Sequence, residues 1–399
     1  MNFNPEKNFA SKNFSPLLDE KTLFSEIISE SGEKLKDQAK LEKISELTKD
    51  LLVDETIIRQ EQIDSKNSNI EKIKADATLE IKKKINFYIE NENELSKCKE
   101  IFSNAKNLEE LLKIKEYLIK IGQKISQYDA SGTPEAQRRN EAMTKQNKTL
   151  LERPAEIFKF IMNQEYVENK RKELHNIKGL YMPDKENPDG GDGWEDKKIR
   201  NKQISTVLDT QGHGLSQAYT KLFIEKTLSL TTENSDDLFE VDNFLLEIDE
   251  ASLFQFQLNA AIIRTEIEED ENGELNMNAQ ISGDTGFFIY RPKTKEVLIS
   301  GFQGEYPGVK NINKDFVRMS AIGTGYKNKT SFKKSTNIKL NKDDKVYLFS
   351  DGGKGGIKDA FEQIGKTIHL INDETILNST KNRKIQGKQR DDITVLKIL

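Results

Sequence analysis

The sequence has a single cysteine, Cys98, and three histidines in 399 residues. That excludes an intramolecular disulfide and any zinc site built from cysteines, a usage that fits a reducing compartment. A bound metal would have to rest on carboxylates. Hydrophobic residues make up 35% and aromatics 8%, and no window reaches the ~18 apolar residues of a membrane-spanning helix. Met1 to Pro16 carries no apolar core segment either. The expectation is a cytoplasmic protein with no membrane insertion. An excess of positive charge is also missing: Lys+Arg 62 against Asp+Glu 67 leaves a net charge of -5, which gives no electrostatic reason to expect nucleic-acid binding.

What is present falls into two halves, as expected of a chain of 45.7 kDa with room for two or three domains. From Ser15 to Leu174 the chain is rich in Lys, Glu, Ile and Leu and nearly free of Gly. Apolar residues return there at helical spacing: Leu41, Ile44, Leu47 and Leu51; Ile70, Ile73, Ala77, Ile81 and Ile85; Leu108, Leu111, Leu112, Leu118, Gly122 and Ile125. Turns are expected at Asp64–Asn69, at Glu90–Glu94, and at Ser131-Gly132-Thr133-Pro134-Glu135, with a weaker signal at Arg153-Pro154-Ala155-Glu156. The reading is an all-α region, a bundle or bent coiled coil, that regulates or dimerises.

After Lys178 the texture changes, and the boundary is set between 1–177 and 178–399. Strands are expected at Gln203–Leu208, Asn259–Thr265, Asn276–Ile281, Gly286–Tyr290, Glu296–Ile299, Asp344–Phe349 and Asp392–Ile398, with helices at Leu215–Leu228 and Leu238–Leu253. Many strands with few intervening helices indicate an α+β domain with helices outside antiparallel sheets.

Four places in this half set acidic residues beside glycines. Pro188-Asp189-Gly190-Gly191-Asp192-Gly193-Trp194 reads by itself as a polar Gly-rich loop. Val207-Leu208-Asp209-Thr210-Gln211-Gly212-His213-Gly214-Leu215 is a strand ending in Asp, then two glycines, then a helix; that pattern suits a hard cation as well as a plain strand-to-helix turn. Val346 to Phe349 is an apolar run that delivers Asp351, and the glycines after it read as a hairpin turn or a loop that approaches a ligand. Lys354 does not complete a P-loop, because the G-x-x-x-x-G-K-[ST] spacing is not met. Arg390-Asp391-Asp392-Ile393-Thr394 puts paired carboxylates at the entrance of the last strand, by itself a solvated strand start.

In this order the four resemble the motifs of the metal-dependent serine/threonine phosphatases of the 2C type, and most closely the bacterial SpoIIE branch. The resemblance covers residues 176 to 399 and includes the 17-residue interval from Asp192 to Asp209. It implies an α-β-β-α sandwich and a site for two ions, Mn²⁺ or Mg²⁺. By the same resemblance Asp209 bridges the ions, Asp351 and Asp391 complete one of them, and Asp192 with the Thr210 carbonyl completes the other. His213 is either a proton donor to the leaving group or a holder of its loop; Asp392, Gly212 and Gly352 support the ligands.

The implied activity is hydrolysis of phosphoserine or phosphothreonine on a protein, with an anti-anti-sigma-like domain as the branch's kind of substrate and a homodimer formed through the helices. Some positions depart from the pattern: Gly193 stands where an aromatic residue usually follows Gly-Gly-Asp, Gly283-Asp284 stands where many relatives carry Gly-His, and Gly and Lys crowd the segment after Asp351. The alternatives are a phosphatase-like scaffold that binds a signalling partner without turning it over, and a calcium-binding structural protein, for which no EF-hand spacing exists.

Overall fold

A computed structural model describes residues 70–129, 157–183, 190–210, 215–231, 238–251, 258–301, 309–313, 321–323, 338–364, 373–386 and 391–399. The chain divides into two compact units, Met1–Glu92 and Asn93–Leu399. Of the first unit, the front of helix α1 (Ile70–Asn104) is described, where Asn91 Nδ2 donates to the Phe87 carbonyl at 2.9 Å. The expected helices at Leu41–Leu51, and the turns at Asp64–Asn69, Ser131–Glu135 and Arg153–Glu156, lie outside the described residues.

The turn expected at Glu90–Glu94 is not there, because α1 runs straight through it. No Gly or Pro interrupts that stretch, Glu is a good helix former, and Glu94 is engaged by Lys124 at 2.7 Å. The chain turns instead at Ala105–Asn107, where the Asn107 side chain accepts the Glu110 amide at 2.9 Å and so caps α2 (Leu108–Leu112). Helix α3 (Ile114–Asp129) follows, and later α4 (Gln164–His175), capped in the same way by Asn163.

The second unit is mixed α+β with two sheets. One has six strands in the order β1 (Gly179–Met182), β11 (Ile393–Lys397), β10 (Lys345–Phe349), β6 (Gly286–Arg291), β7 (Glu296–Ser300), β8 (Val309–Asn313). The other has five in the order β2 (Asp192–Ile199), β3 (Lys202–Thr210), β4 (Ala260–Glu269), β5 (Leu275–Ser282), β9 (Ile338–Leu340). Side chains alternate across each strand, and that alternation builds the layers. Val207, Ile263, Met277 and Ile281 of the smaller sheet pack with Phe287, Val346, Leu348 and Leu396 of the larger. The next residues along, Phe288, Tyr347, Phe349 and Val395, face outward onto Ile357 and Ala360 of α7 (Asp351–Ile364) and Leu377 of α8 (Asp373–Ile385).

Helices α5 (Leu215–Thr231) and α6 (Leu238–Ala251) follow β3, and α5 packs on β2 and β3. Helices α2 and α3 of the first half contact this pair as well. Phe223 of α5 centres the contact, 4.7 Å from Phe158, 6.2 Å from Phe102 and 6.3 Å from Phe244, and Lys115 of α3 pairs with Glu247 of α6 at 2.6 Å.

The glycines after Asp351 form neither a hairpin nor a loop: they are the first turns of α7. Glycine is disfavoured inside a helix, but a Cβ on Gly352 would stand 1.8 Å from the Asp392 carbonyl. The helix therefore starts hard against the entrance of β11.

Candidate functional site

Strand pairing brings the first two aspartates together. β2 and β3 form an antiparallel hairpin over Arg200 and Asn201, and its register places Asp192 directly opposite Asp209. Directly opposed residues share a face. Two residues back along each strand stand Trp194 and Val207, which belong to the core between the sheets, so both carboxylates point to that same side at the sandwich's end. The segment read as a polar loop thus continues from Asp192 as a strand.

The larger sheet delivers the others. β10 ends at Phe349, and Asp351 opens α7 two residues later. Between β5 of one sheet and β6 of the other the chain crosses at this same end through Gly283, with φ at 81°, and Asp284 follows. Carboxylate oxygens of Asp209, Asp284 and Asp351 all lie within 4.8 Å of one another. Asp284 is a member that the motif pattern did not assign; its signal was the Gly-Asp pair joining two expected strands.

Asp192 is buried and lies outside that triplet. Burial, then the charge of Asp392, pushes its carboxyl well above the ordinary range, partly offset by the hydroxyls of Ser350 and Thr394. Asp209 is pushed up by burial and then by Asp192, Asp351, Asp284 and Asp391. Burial also raises Asp351, with Asp284 and Asp391 adding to it, while a hydrogen bond with Asp209 and the charge of Lys354 act in the opposite direction. Four carboxylates thus bear on Asp209, and crowding of this kind favours a cation over a set of bare charges.

The remaining assigned residues have distinct places. Asp391 is exposed, its Oδ1 accepts the Asp392 amide at 3.0 Å, and its charge reaches Asp209 and Asp351 although it is not in the triplet. Asp392 is buried and its Oδ2 accepts the Gly191 amide, so it holds the backbone beside Asp192. Thr210 closes the same loop, its hydroxyl donating to the Gly191 carbonyl at 2.9 Å. His213 and Gly212 lie outside the described residues.

Beneath the β2 strand the fold places a second set of charges. Glu225 of α5, 5% exposed, faces Gly193, where a Cβ would stand 2.3 Å from its Oε1. Gly193 is thus the residue that makes room for a buried acid. Lys221, 2% exposed, donates to the Gly190 carbonyl at 3.1 Å, and Lys170 of α4 approaches Glu225 at 3.9 Å. Burial raises Glu225, and the charges of Lys170 and Lys221 counter it.

The fit to a divalent ion can be judged from the oxygens. Asp192 Oδ2 and Asp351 Oδ1 are buried with no hydrogen-bond partner among the described residues, and buried carboxylate oxygens are normally satisfied. Oxygen-only donors favour Mg²⁺ or Mn²⁺ over zinc. The residues fit.

This chain is similar to solved phosphatase structures. The PP2C domain of SiaA from Pseudomonas aeruginosa matches at 17% identity over 64% of this chain and 98% of that one, with a TM-score of 0.38. The serine/threonine phosphatase of S. agalactiae matches at 15% over 55% and 97%, with a TM-score of 0.37. RsbX in complex with magnesium matches at 14% over 54% and 90%, with a TM-score of 0.35. No protein-family model and no curated protein matches the chain. These overlaps are partial, and the functional reading rests on the residues of the site.

Proposed function

We propose that the protein is a metal-dependent phosphatase of the 2C type, in the SpoIIE-like bacterial branch, that hydrolyses phosphoserine or phosphothreonine on a protein. The observation that carries this reading is the triplet of Asp209, Asp284 and Asp351, three carboxylates converging from separate elements with two more, Asp192 and Asp391, acting on them. Asp209, Asp284, Asp351 and Asp391 are the residues to hold one end of a divalent-ion site, and Asp192 with Thr210 the other. When bound, Mn²⁺ or Mg²⁺ lowers the pKa of a coordinated water and offsets charge on the phosphoryl oxygens.

The chain's own contribution is alignment. The β2–β3 register holds Asp192 against Asp209, Asp392 pins Gly191, and the start of α7 fixes Asp351. Water supplies the hydroxyl of the released phosphate and the proton of the freed serine or threonine, so no enzyme nucleophile is required. His213 remains either a proton donor or a loop holder in this reading.

The helical region 1–177 is the regulatory part in this proposal, a homodimer its mode of association, and the cytoplasm its compartment. No helix among the described residues is long and apolar enough to cross a membrane. The substrate is a phosphorylated protein, with an anti-anti-sigma-like domain as the branch's expectation.

The test is hydrolysis of a small aryl phosphate by the full chain with and without Mn²⁺, beside Asp209→Asn, Asp284→Asn and Asp351→Asn. Metal-dependent turnover lost in the variants is expected. Tight binding of a protein partner with no turnover at any Mn²⁺ concentration would leave the scaffold reading in its place.

A further inference from the structure

Lys354 stands three residues after Asp351 in α7, and residues three apart lie on one face of a helix. The charges of Asp284, Asp351 and Asp209, the same three carboxylates that form the triplet, act on its ammonium and favour its charged form. It makes no ion pair with any of them within the described structure.

The helix itself gives no reason for a lysine here. A cation in the first turn of a helix opposes the helix dipole and is disfavoured there. Burial acts against the charge as well, pushing the amine below its ordinary value, while the three aspartates push it back. A fully paired ammonium would offset those costs by spending its three donors, and this one makes no hydrogen bond or ion pair among the described residues. The helix that carries it begins with glycines packed on β11, so the side chain is presented from a rigid element.

The charge balance of the site points the same way. Two divalent ions fall short of neutralising Asp192, Asp209, Asp284, Asp351 and Asp391, and a phosphate monoester then arrives with nearly two further negative charges. A fixed cation beside the triplet meets that deficit on the substrate's side.

We propose that Lys354 is the substrate-phosphate lysine of this protein, donating hydrogen bonds to a non-bridging phosphoryl oxygen during hydrolysis. This rests on the phosphatase reading and deepens it. The lysine transfers no proton: water adds to phosphorus, the ester oxygen leaves as the serine or threonine hydroxyl, and Lys354 keeps its charge throughout. The product phosphate binds the same group.

The experiment compares the full chain with Lys354→Met and Lys354→Arg. It measures Mn²⁺ affinity by calorimetry, binding of inorganic phosphate to the Mn²⁺-loaded protein by calorimetry, and KM against kcat for an aryl phosphate. Lys354→Met is expected to weaken phosphate binding and raise KM by about tenfold to a hundredfold, the loss of a charged hydrogen bond. Mn²⁺ affinity is expected to hold or tighten, and Lys354→Arg to recover most of the phosphate binding.

Unchanged phosphate affinity in Lys354→Met with tighter Mn²⁺ binding overturns the proposal, since the lysine would then be only a counter-charge for the acidic pocket. Equal loss in Met and Arg, with the melting temperature lowered in both, overturns it also. A wild-type chain that binds Mn²⁺ but neither phosphate nor ester removes the phosphatase reading itself, a result separate from any behaviour of the variants.

Discussion

Adjacent residues of one strand, Asp192 and Gly193, face two very different groups of charges. On the α5 side, Glu225 is buried but has Lys170 and Lys221 beside it, and Lys221 also satisfies the Gly190 carbonyl. On the other side, Asp192, Asp209, Asp284, Asp351 and Asp391 crowd one another, and Lys354 is the cation beside them, with no ion pair among the described residues. A buried acid that arrives with its own cations is part of the architecture. A crowd of acids left without enough of them is built to receive charge from outside.

The sharpest way to break that contrast is to remove one acid from the crowded side. Asp209→Asn is expected to lower metal-dependent aryl phosphate turnover on the order of a thousandfold. The same change should leave the metal-free chain at least as stable, because it relieves a buried charge among like charges. Turnover against Mn²⁺ concentration and a thermal melt in chelator check the two halves of this expectation.

The balanced side should answer in the opposite way. Lys221→Met removes one of the two cations acting on Glu225 and frees the Gly190 carbonyl, a loss of about 3 kcal/mol for a buried acid left short of counter-charge. Added Mn²⁺ should recover little of it. Denaturant unfolding of Lys221→Met and of the Lys221→Met, Glu225→Gln double variant measures the effect; equal stability of all three chains would dissolve the contrast.

How much of this was legible beforehand depends on how local the determinant was. Asp209, Asp351 and Asp391 stand at the ends of apolar alternations, so strand ends and their aspartates could be read from spacing. β2 could not, because Asp192–Ile199 holds five charged residues and is a strand through its pairing with β3. The helix at Asp351–Ile364 was hidden by its glycines, which are there for close packing on Asp392 and carry no turn signal. Asp284 reads in the sequence only as a departure from the expected Gly-His, since its place beside Asp209 and Asp351 depends on a crossing between sheets that periodicity does not encode. Lys221 and Glu225 stand four apart on one expected helix, but only the fold brings Lys170 and the β2 strand to them.

A smaller effect sharpens the contrast through pH. In the absence of metal, Asp192, Asp209 and Asp351 hold their protons more tightly in the folded chain than in the unfolded one. The folded state then carries more protons above the ordinary carboxylate range, so the stability these groups contribute is full at low pH and is lost as pH rises through their raised values. Melting temperature in chelator should fall with rising pH, and saturating Mn²⁺ should flatten that slope. A slope that Mn²⁺ does not change would place the metal elsewhere.

The smallest effect is expected where charges meet in water. Lys115 and Glu247 pair at 2.6 Å with side chains 32% and 46% exposed, and Lys115→Ala should alter stability by no more than about 1 kcal/mol.

The hairpin that opposes Asp192 to Asp209 also sets a rule for how this chain can drift. A strand has two faces, so a single residue gained or lost between the ladder's tip and either aspartate turns that carboxylate to the α5 side, beside Glu225. Length can change at Arg200–Asn201 without moving either acid, or within a strand by twos. The distance from each aspartate to the hairpin's tip is therefore held by parity, a constraint that would persist even in a descendant that had given up catalysis and kept only the sandwich.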